Sequence, residues 1–465
     1  MRQTSLSKSC HNISMEENYG SIKVLEVCTV APPPGSAVPA SLPLTFFDIL
    51  WFRFPPVKRL FFYKSPAPFD VVVSNLKNSL SLTLQHYLPL AGAIVWPENS
   101  PKPTIETAAG DGVVLTVAES DADFHHLVGD GLRDAAKYRP LVAELAATEE
   151  RAAVVAVQVT SFGKDGFGIG ITSHHAILDG RSSTLFVKSW AGLCKNLVAA
   201  GESSAPETMP FYDRSVVADP ARLEAIYLRC WSGIGGHNNR SLKFLQLTIS
   251  PDLFRGTFKL NPQNIQKLKQ FVLRHRNPAH PPLHISTFTV AMAYTWVCAS
   301  VADGSPPDGE RIFGITVDAR GRLDPPLPTT YFGNCVVGRA TALERGKLVG
   351  ENGVVAAAEA ISEMIKSLEE EGPLKDAENW VSLLTQAINS NRKMISTAGS
   401  PRFEVYSVDF GWGTPEKVEV VSIDATGAVS ISESRDRGGV EVGWTAKKDV
   451  MENFTAAFAK GLEEL

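Results

Sequence analysis

The stretch Ser173-His174-His175-Ala176-Ile177-Leu178-Asp179-Gly180 constrains this chain more than any other, because the hydrophobic periodicity changes across it. Before it, Phe167-Gly168-Ile169-Gly170-Ile171 follows the turn signal Gly163-Lys164-Asp165-Gly166 and predicts a short buried strand. After it, Ser182 and Ser183 are candidate caps for a helix whose Phe186, Trp190, Leu193 and Leu197 recur at three- and four-residue spacing until Ala200-Gly201. A histidine pair and an aspartate therefore occupy a turn between a strand end and a helix start, where a rigid scaffold can hold a reactive side chain.

The spacing alone is not specific. An H-x-x-x-D match is expected by chance in roughly every second chain of this size and composition. His125-His126-Leu127-Val128-Gly129-Asp130-Gly131 repeats the pattern, but it follows the polar run Glu119-Ser120-Asp121-Ala122-Asp123 and reads as solvated surface. For His175 and Asp179 the competing reading is a satisfied core histidine and an aspartate that caps a helix.

With 465 residues the chain exceeds what one hydrophobic core usually supports, so two domains are expected. Ser, Pro, Gly and Glu dominate from Gly201 to about Ser241, which marks residues 202–241 as a crossover linker between an N-terminal part, 1–201, and a C-terminal part, 242–465. A net charge of −5 offers no general attraction to nucleic acid or anionic membrane. The six cysteines lack C-x-x-C pairs, which suggests neither a zinc site nor a disulfide framework. The first twenty residues are polar and read as a frayed leader, and no apolar run is long enough to span a bilayer, so a cytosolic location is expected. Without an export signal, Asn12-Ile13-Ser14 and Asn239-Arg240-Ser241 are chance sequons.

Other elements follow from pattern. Strands are expected at Ile22–Val30, 93–96, 113–117, 153–162, 244–249, 257–260, 312–317, 418–423, 429–433 and 440–443. Helices are expected over 71–87, after the Asn261-Pro262 cap, over 286–301 and 354–368, and at the C-terminus through Val450, Phe454, Phe458 and Leu462. Lys267, Lys269, Arg274 and Arg276 read as the solvated face of the second of these. The aromatic run from Leu42 to Phe52 reads as core, or else as the wall of an apolar pocket.

Two motifs then coincide. His175 to Gly180 and Asp409-Phe410-Gly411-Trp412-Gly413 stand in the order and roughly the separation of the H-x-x-x-D-G and D-F-G-W-G signatures of the plant BAHD acyl-CoA-dependent acyltransferases, which the chain resembles. Leu42-Pro43-Leu44-Thr45-Phe46-Phe47-Asp48, Asp213-Arg214 and Ile431-Ser432-Glu433-Ser434-Arg435-Asp436 extend the likeness over nearly the whole length. Tyr331-Phe332-Gly333-Asn334-Cys335 resembles the motif of the subgroup that acylates sugars on anthocyanins, flavonoids and other phenolic glucosides. The resemblance implies an α/β fold of two chloramphenicol-acetyltransferase-like domains, each a mixed β-sheet with flanking helices, and an active-site channel between them. It also implies small-molecule partners only, an acyl-CoA donor and a phenolic glycoside acceptor, acting on a monomer with no resident cofactor or metal.

The chemistry fits the residues. A sugar hydroxyl needs a base to take its proton as it attacks a thioester, and a neutral imidazole suits that task. A leaving thiol departs as thiolate without a strong acid. His175 is thus the expected base. By resemblance, Asp179 supports the loop by pairing with an arginine of the other domain, Arg320 or alternatively Arg322, and the Asp409–Gly413 segment is mainly structural, although Trp412 carries an indole N–H. A malonyl group carries a carboxylate that an arginine would hold, and Arg181 is the candidate. If Arg181 faces solvent instead, a hydroxycinnamoyl group could fit an aromatic pocket. The expectation is malonyl transfer from malonyl-CoA as co-substrate, with hydroxycinnamoyl transfer as the alternative. A condensation domain, a metal-dependent hydrolase using His174, His175 and Asp179, and a non-catalytic binding protein are the rival readings.

Overall fold

A computed structural model describes residues 22–36, 41–64, 67–200, 206–236, 239–278, 285–306, 308–389, 394–436 and 438–465. The expected leader and the Asn12 sequon lie outside these residues.

Two large sheets carry the architecture. The first has six strands in the order Ile22–Val30, Val113–Ser120, Val155–Ser161, Phe167–Ser173, Val57–Tyr63 and Lys417–Val420. Every residue of Phe167–Ser173 is buried, because the strand runs antiparallel between two neighbours and is covered on both faces. Its glycines answer to packing. A Cβ on Gly170 would fall 2.4 Å from the Leu141 carbonyl oxygen. The long helix Gly180–Ala200 covers one face and packs on Phe69–Leu84, where Trp190 Nε1 donates to Ser79 Oγ (3.0 Å) and the Leu76 carbonyl (3.2 Å).

The second sheet has seven strands in the order Val336–Glu344, Glu310–Asp318, Met394–Ala398, Val429–Glu433, Val440–Lys447, Leu253–Leu260 and Arg133–Asp134. Its helices start where capping predicts. Asn261 and Asn264 cap reciprocally around Pro262, and Ser286 Oγ accepts from Thr289 N at 3.0 Å. The apolar helix Thr287–Ala302 lies between Gly353–Glu370 and the terminal helix Lys448–Glu463, so it is buried nearly all round. A small four-stranded sheet, Leu42–Pro43, Thr104–Glu106, Ala93–Val95 and Arg151–Ala153, completes the structure.

Each large sheet borrows a strand from the other half of the chain. Lys417–Val420 pairs with Val57–Tyr63, and Arg133–Asp134 pairs with Leu253–Leu260. A division at 202–241 separates most strands, but not these two. Charge seals the exchange. Buried Glu419 meets Arg255 at 2.9 Å and Arg133 at 3.2 Å, and Arg255 also meets Asp424 at 2.6 Å. Burial alone would raise the Glu419 pKa, but the arginines outweigh it and hold the carboxyl below its usual range.

The structure corrects several expectations. Residues 244–249 join no ladder. The crossover holds a helix, Leu223–Ser232, whose Leu223, Tyr227 and Trp231 form a buried stripe that the polar composition around it concealed. On the terminal helix Met451 joins Phe454 and Phe458 in the core, and Val450 and Leu462 are partly buried against it. Glu419→Gln should lower stability by about 3–5 kcal/mol in urea unfolding, since it strips charge from a buried pair and leaves its arginines underneutralised; a loss under about 1 kcal/mol would contradict the seal.

Candidate active site

The strand Phe167–Ser173 delivers the two histidines at its end, where they take opposite roles. His174 is fully buried, its Nδ1 accepts from Ala176 N at 3.1 Å, and Phe244 packs on the ring. Burial, with His175 adding to it, pushes its pKa down to about 3. The core-histidine reading thus fits His174. His175 is half-buried, stacked on Trp51 with ring centroids 4.3 Å apart and an interplanar angle of 14°, while Phe54 meets it edge-on. Its Nδ1 is buried, which leaves Nε2 as the nitrogen a substrate can meet. Burial lowers the ring pKa to about 4, so the imidazole is neutral throughout the physiological range. The aromatic run is core: Phe46, Phe47, Ile49 and Trp51 are buried in the hydrophobic core, and Trp51 covers His175. The decoy histidines His125 and His126 are exposed on the short helix Phe124–Val128.

Asp179, rather than Ser182 or Ser183, caps the helix, because its Oδ1 accepts from Ser182 N at 2.8 Å. Its Oδ2 accepts from Cys335 N at 3.0 Å and pairs with Arg320 Nη1 at 2.8 Å. Arg320 Nη2 donates to Ser182 Oγ (3.0 Å) and to the Gly333 (3.0 Å) and Tyr331 (3.1 Å) carbonyls. Arg322 donates to the Asp318 carbonyl instead. Burial disfavours the Arg320 charge, but Asp179 overcomes it and raises the pKa above the ordinary arginine value.

A second polar cluster lies beside the His175 backbone. Asp48 Oδ2 accepts from Thr45 N and Oγ1, each at 2.9 Å, and Arg214 Nη1 approaches it at 3.5 Å. Its Oδ1 accepts from Asn334 N (2.9 Å) and Nδ2 (3.2 Å), and Asn334 Nδ2 also donates to the His175 carbonyl at 3.0 Å. Gly333 makes this approach possible: its φ is +126°, and a Cβ there would sit 2.1 Å from Arg214 Nη1. Sequence reading gave Asp48, Arg214 and Asn334 no roles in a site. The signal was a carboxylate inside an aromatic run, where a buried charge must find partners.

The remaining candidates lie elsewhere. Arg181 Nε donates to the Thr329 carbonyl at 2.9 Å and Nη1 faces Asp318 at 3.6 Å, so these donors hold a loop rather than stand open to a carboxylate. Asp409 Oδ1 accepts from Gly411 N (2.8 Å) and Gly413 N (2.9 Å), and its Oδ2 pairs with Lys195 at 2.8 Å. Phe410 is buried against Trp190 and Tyr63. Trp412 meets Phe167 edge-on, at the far end of the strand from Ser173 and so about 20 Å from His175. Burial raises the Cys194 and Cys298 thiols to about 12 and Cys335 further, which removes them as nucleophiles. Among the described residues no group of three His, Cys, Asp or Glu side chains is placed to hold a metal ion, and no helix is long and apolar enough to cross a membrane.

Residues 23–460 match the Transferase family. The chain belongs to that family. It is the BAHD acyltransferase family that the motifs resemble. The chain is 41% identical to phenolic glucoside malonyltransferase 1 of Arabidopsis thaliana, over 96% of its own length and 99% of that protein. It is also 41% identical to the malonyl-CoA:anthocyanidin 5-O-glucoside-6''-O-malonyltransferase of the same plant, over 96% and 100%. The crystal structure of vinorine synthase superposes with a TM-score of 0.67 at 18% identity, covering 93% of this chain and 96% of that one, and it shares the fold.

Asp179→Asn should cost about 3–5 kcal/mol of stability in denaturant unfolding, because Arg320 loses a buried charge partner; unchanged stability would remove the pair as a structural tie. The His174 ring sets a pH dependence. The unfolded chain takes up a proton on this residue near pH 6.5 and the folded chain only near pH 3, so stability falls as pH falls through that window, by about 1.4 kcal/mol per unit. His174→Gln should reduce that slope of unfolding free energy against pH by about 1.4 kcal/mol per unit and leave the part that His175 contributes, and an unaltered slope would contradict the assignment.

Proposed function

We propose that this chain transfers the malonyl group of malonyl-CoA to a sugar hydroxyl of a phenolic, flavonoid or anthocyanin glucoside, with His175 as general base. The observation that carries the reading is the placement of His175, neutral, stacked on Trp51 and with Nε2 as its reachable nitrogen. The malonyltransferase relatives support the donor and acceptor classes. The acceptor hydroxyl loses its proton to Nε2 as its oxygen bonds to the thioester carbonyl carbon. Collapse of the tetrahedral adduct breaks the carbon–sulfur bond, and the leaving thiolate takes the proton from the imidazolium. No covalent enzyme intermediate and no resident cofactor are required. Asp179, held by Arg320, positions the loop, and Asp409 to Gly413 brace the helix that follows it. We assign the protein to the cytosol as a monomer acting on diffusible substrates.

One observation favours a second reading. Arg181 is engaged with Thr329 and Asp318, and Trp51 and Phe54 offer an aromatic wall, an arrangement suited to a hydroxycinnamoyl group. Thiol release with malonyl-CoA and coumaroyl-CoA, each offered to a panel of phenolic glucosides, decides between them. We expect acceptor-dependent release with malonyl-CoA that falls about 10²–10⁴-fold in His175→Ala. Preference for coumaroyl-CoA would replace the donor, and a His175→Ala protein as active as wild type would overturn the base.

A further inference from the structure

We propose that Trp51 is a positioning residue for the base that also shares its charge: the indole face lies against the His175 ring and stabilises the imidazolium that forms as the acceptor hydroxyl gives up its proton. The proposal deepens the acyl-transfer reading and rests on it for the identity of the base.

An imidazolium formed here gains little from a carboxylate. His175 Nδ1 is buried and finds no partner among the described residues. Asp179 favours the charged ring only across the loop, because its own oxygens accept from Ser182 N and Cys335 N and pair with Arg320. The neighbouring His174 is neutral and adds no favourable charge. Burial meanwhile disfavours the charged form. What does touch the ring is an aromatic face, with centroids 4.3 Å apart and planes 14° from parallel. That lies within the roughly 6 Å over which an aromatic face attracts a cation, and indole is the strongest such face among the side chains. A neutral imidazole gains less from it than a cation does, so the contact favours the protonated ring and with it the transition state.

The indole is placed by its face rather than by its N–H. A buried tryptophan usually finds an acceptor, as Trp190 does at Ser79 and the Leu76 carbonyl, and as Trp231 does at the Ile49 carbonyl at 2.8 Å. Trp51 Nε1 is buried and finds none among the described residues. Packing therefore sets its orientation, and His175 is part of what it packs on.

The turn that carries Trp51 is held at several points. Trp51 N donates to the Asp48 carbonyl at 3.1 Å and Phe54 N to the Trp51 carbonyl at 3.0 Å, which winds the chain tightly after the helix Phe46–Ile49. Arg53, nearly buried, donates to the Ile234 carbonyl at 2.9 Å and the Lys243 carbonyl at 3.2 Å, and its own carbonyl accepts from Leu245 N at 2.8 Å. Phe54 completes the cluster, 5.5 Å from both the indole and the imidazole and nearly perpendicular to each. A face held this firmly needs no reorganisation when charge appears on the ring, which is the condition under which such a contact lowers a barrier.

Fluorine tests the charge without disturbing the shape. 5-Fluorotryptophan draws electron density out of the indole face, and protein carrying it at all eight tryptophans can be compared with unlabelled protein. Two rates are read: kcat with malonyl-CoA and a phenolic glucoside, and the rate at which diethyl pyrocarbonate acylates His175 at neutral pH, followed by mass spectrometry of the peptide that contains it. The second needs neither acyl-CoA nor glucoside, and it also builds positive charge on the imidazole. Both should fall by about 2-fold with the label, and neither should respond to the label in Trp51→Phe, or in Trp51→Tyr where Trp51→Phe fails to fold. Trp51→Leu should lose about 2–30-fold in kcat, while KM for the acyl-CoA changes much less. A tryptophan that merely covers the ring would show no effect of the label. Absence of that effect from both rates, its persistence in the Trp51→Phe protein, or wild-type kcat in Trp51→Leu would overturn the proposal. Inactivity of wild type toward every glucoside would refute the acyl-transfer reading and leave the pyrocarbonate rates to decide this one.

Discussion

The ion pair between Asp179 and Arg320 governs much of this structure, because it is buried and joins the helix start after the histidine loop to a turn of the second sheet. Removing two charges from water is expensive, and such a pair survives only where the remaining lone pairs and protons find partners. Asp179 accepts from Ser182 N and Cys335 N, and Arg320 reaches Asp318, Ser182 and two carbonyls. Three elements remote in sequence therefore meet at one carboxylate. The histidine loop cannot shift without exposing an unmatched charge.

A similar principle recurs at Asp48 and at Glu419. Each is a carboxylate buried in an otherwise apolar setting, and each is surrounded by donors from distant segments. Apolar packing brings the sheets together but is nearly indifferent to small slides, whereas these charges have few acceptable geometries. Between them they define where the first sheet lies against the second. The site sits between two such anchors, with Asp179 following His175 and Asn334 reaching its carbonyl.

Much of this was legible in the residues. The strand, turn and helix around His175 follow from a change of hydrophobic period, and the capping signals at Asn261 and Ser286 place two further helices. The errors also have physical causes. The helix Leu223–Ser232 was hidden because its apolar stripe is three residues long and sits in polar, turn-rich surroundings. The 244–249 stretch alternates like a strand but forms no ladder, although Leu245 N donates to the Arg53 carbonyl at 2.8 Å, and a ladder is a property of two segments. The helix starts at Gly180, so the cap falls to Asp179, as the competing reading had it, and Ser182 and Ser183 lie inside its first turn.

The sequence by itself determined the local chemistry: which strand ends in histidines, which aspartate follows, and which motifs mark the family. Those depend on residue types at short spacing, which a linear chain displays directly. Tertiary structure alone decided which histidine is buried and which is reachable, since His174 and His175 are neighbours and differ only in what packs on them. It alone decided that Arg181 is tied to Thr329 and Asp318, that Trp412 lies far from His175, and that Asp48 and Asn334, 286 positions apart, share a hydrogen bond. Burial and long-range pairing are sums over the whole fold, and no window of sequence contains them.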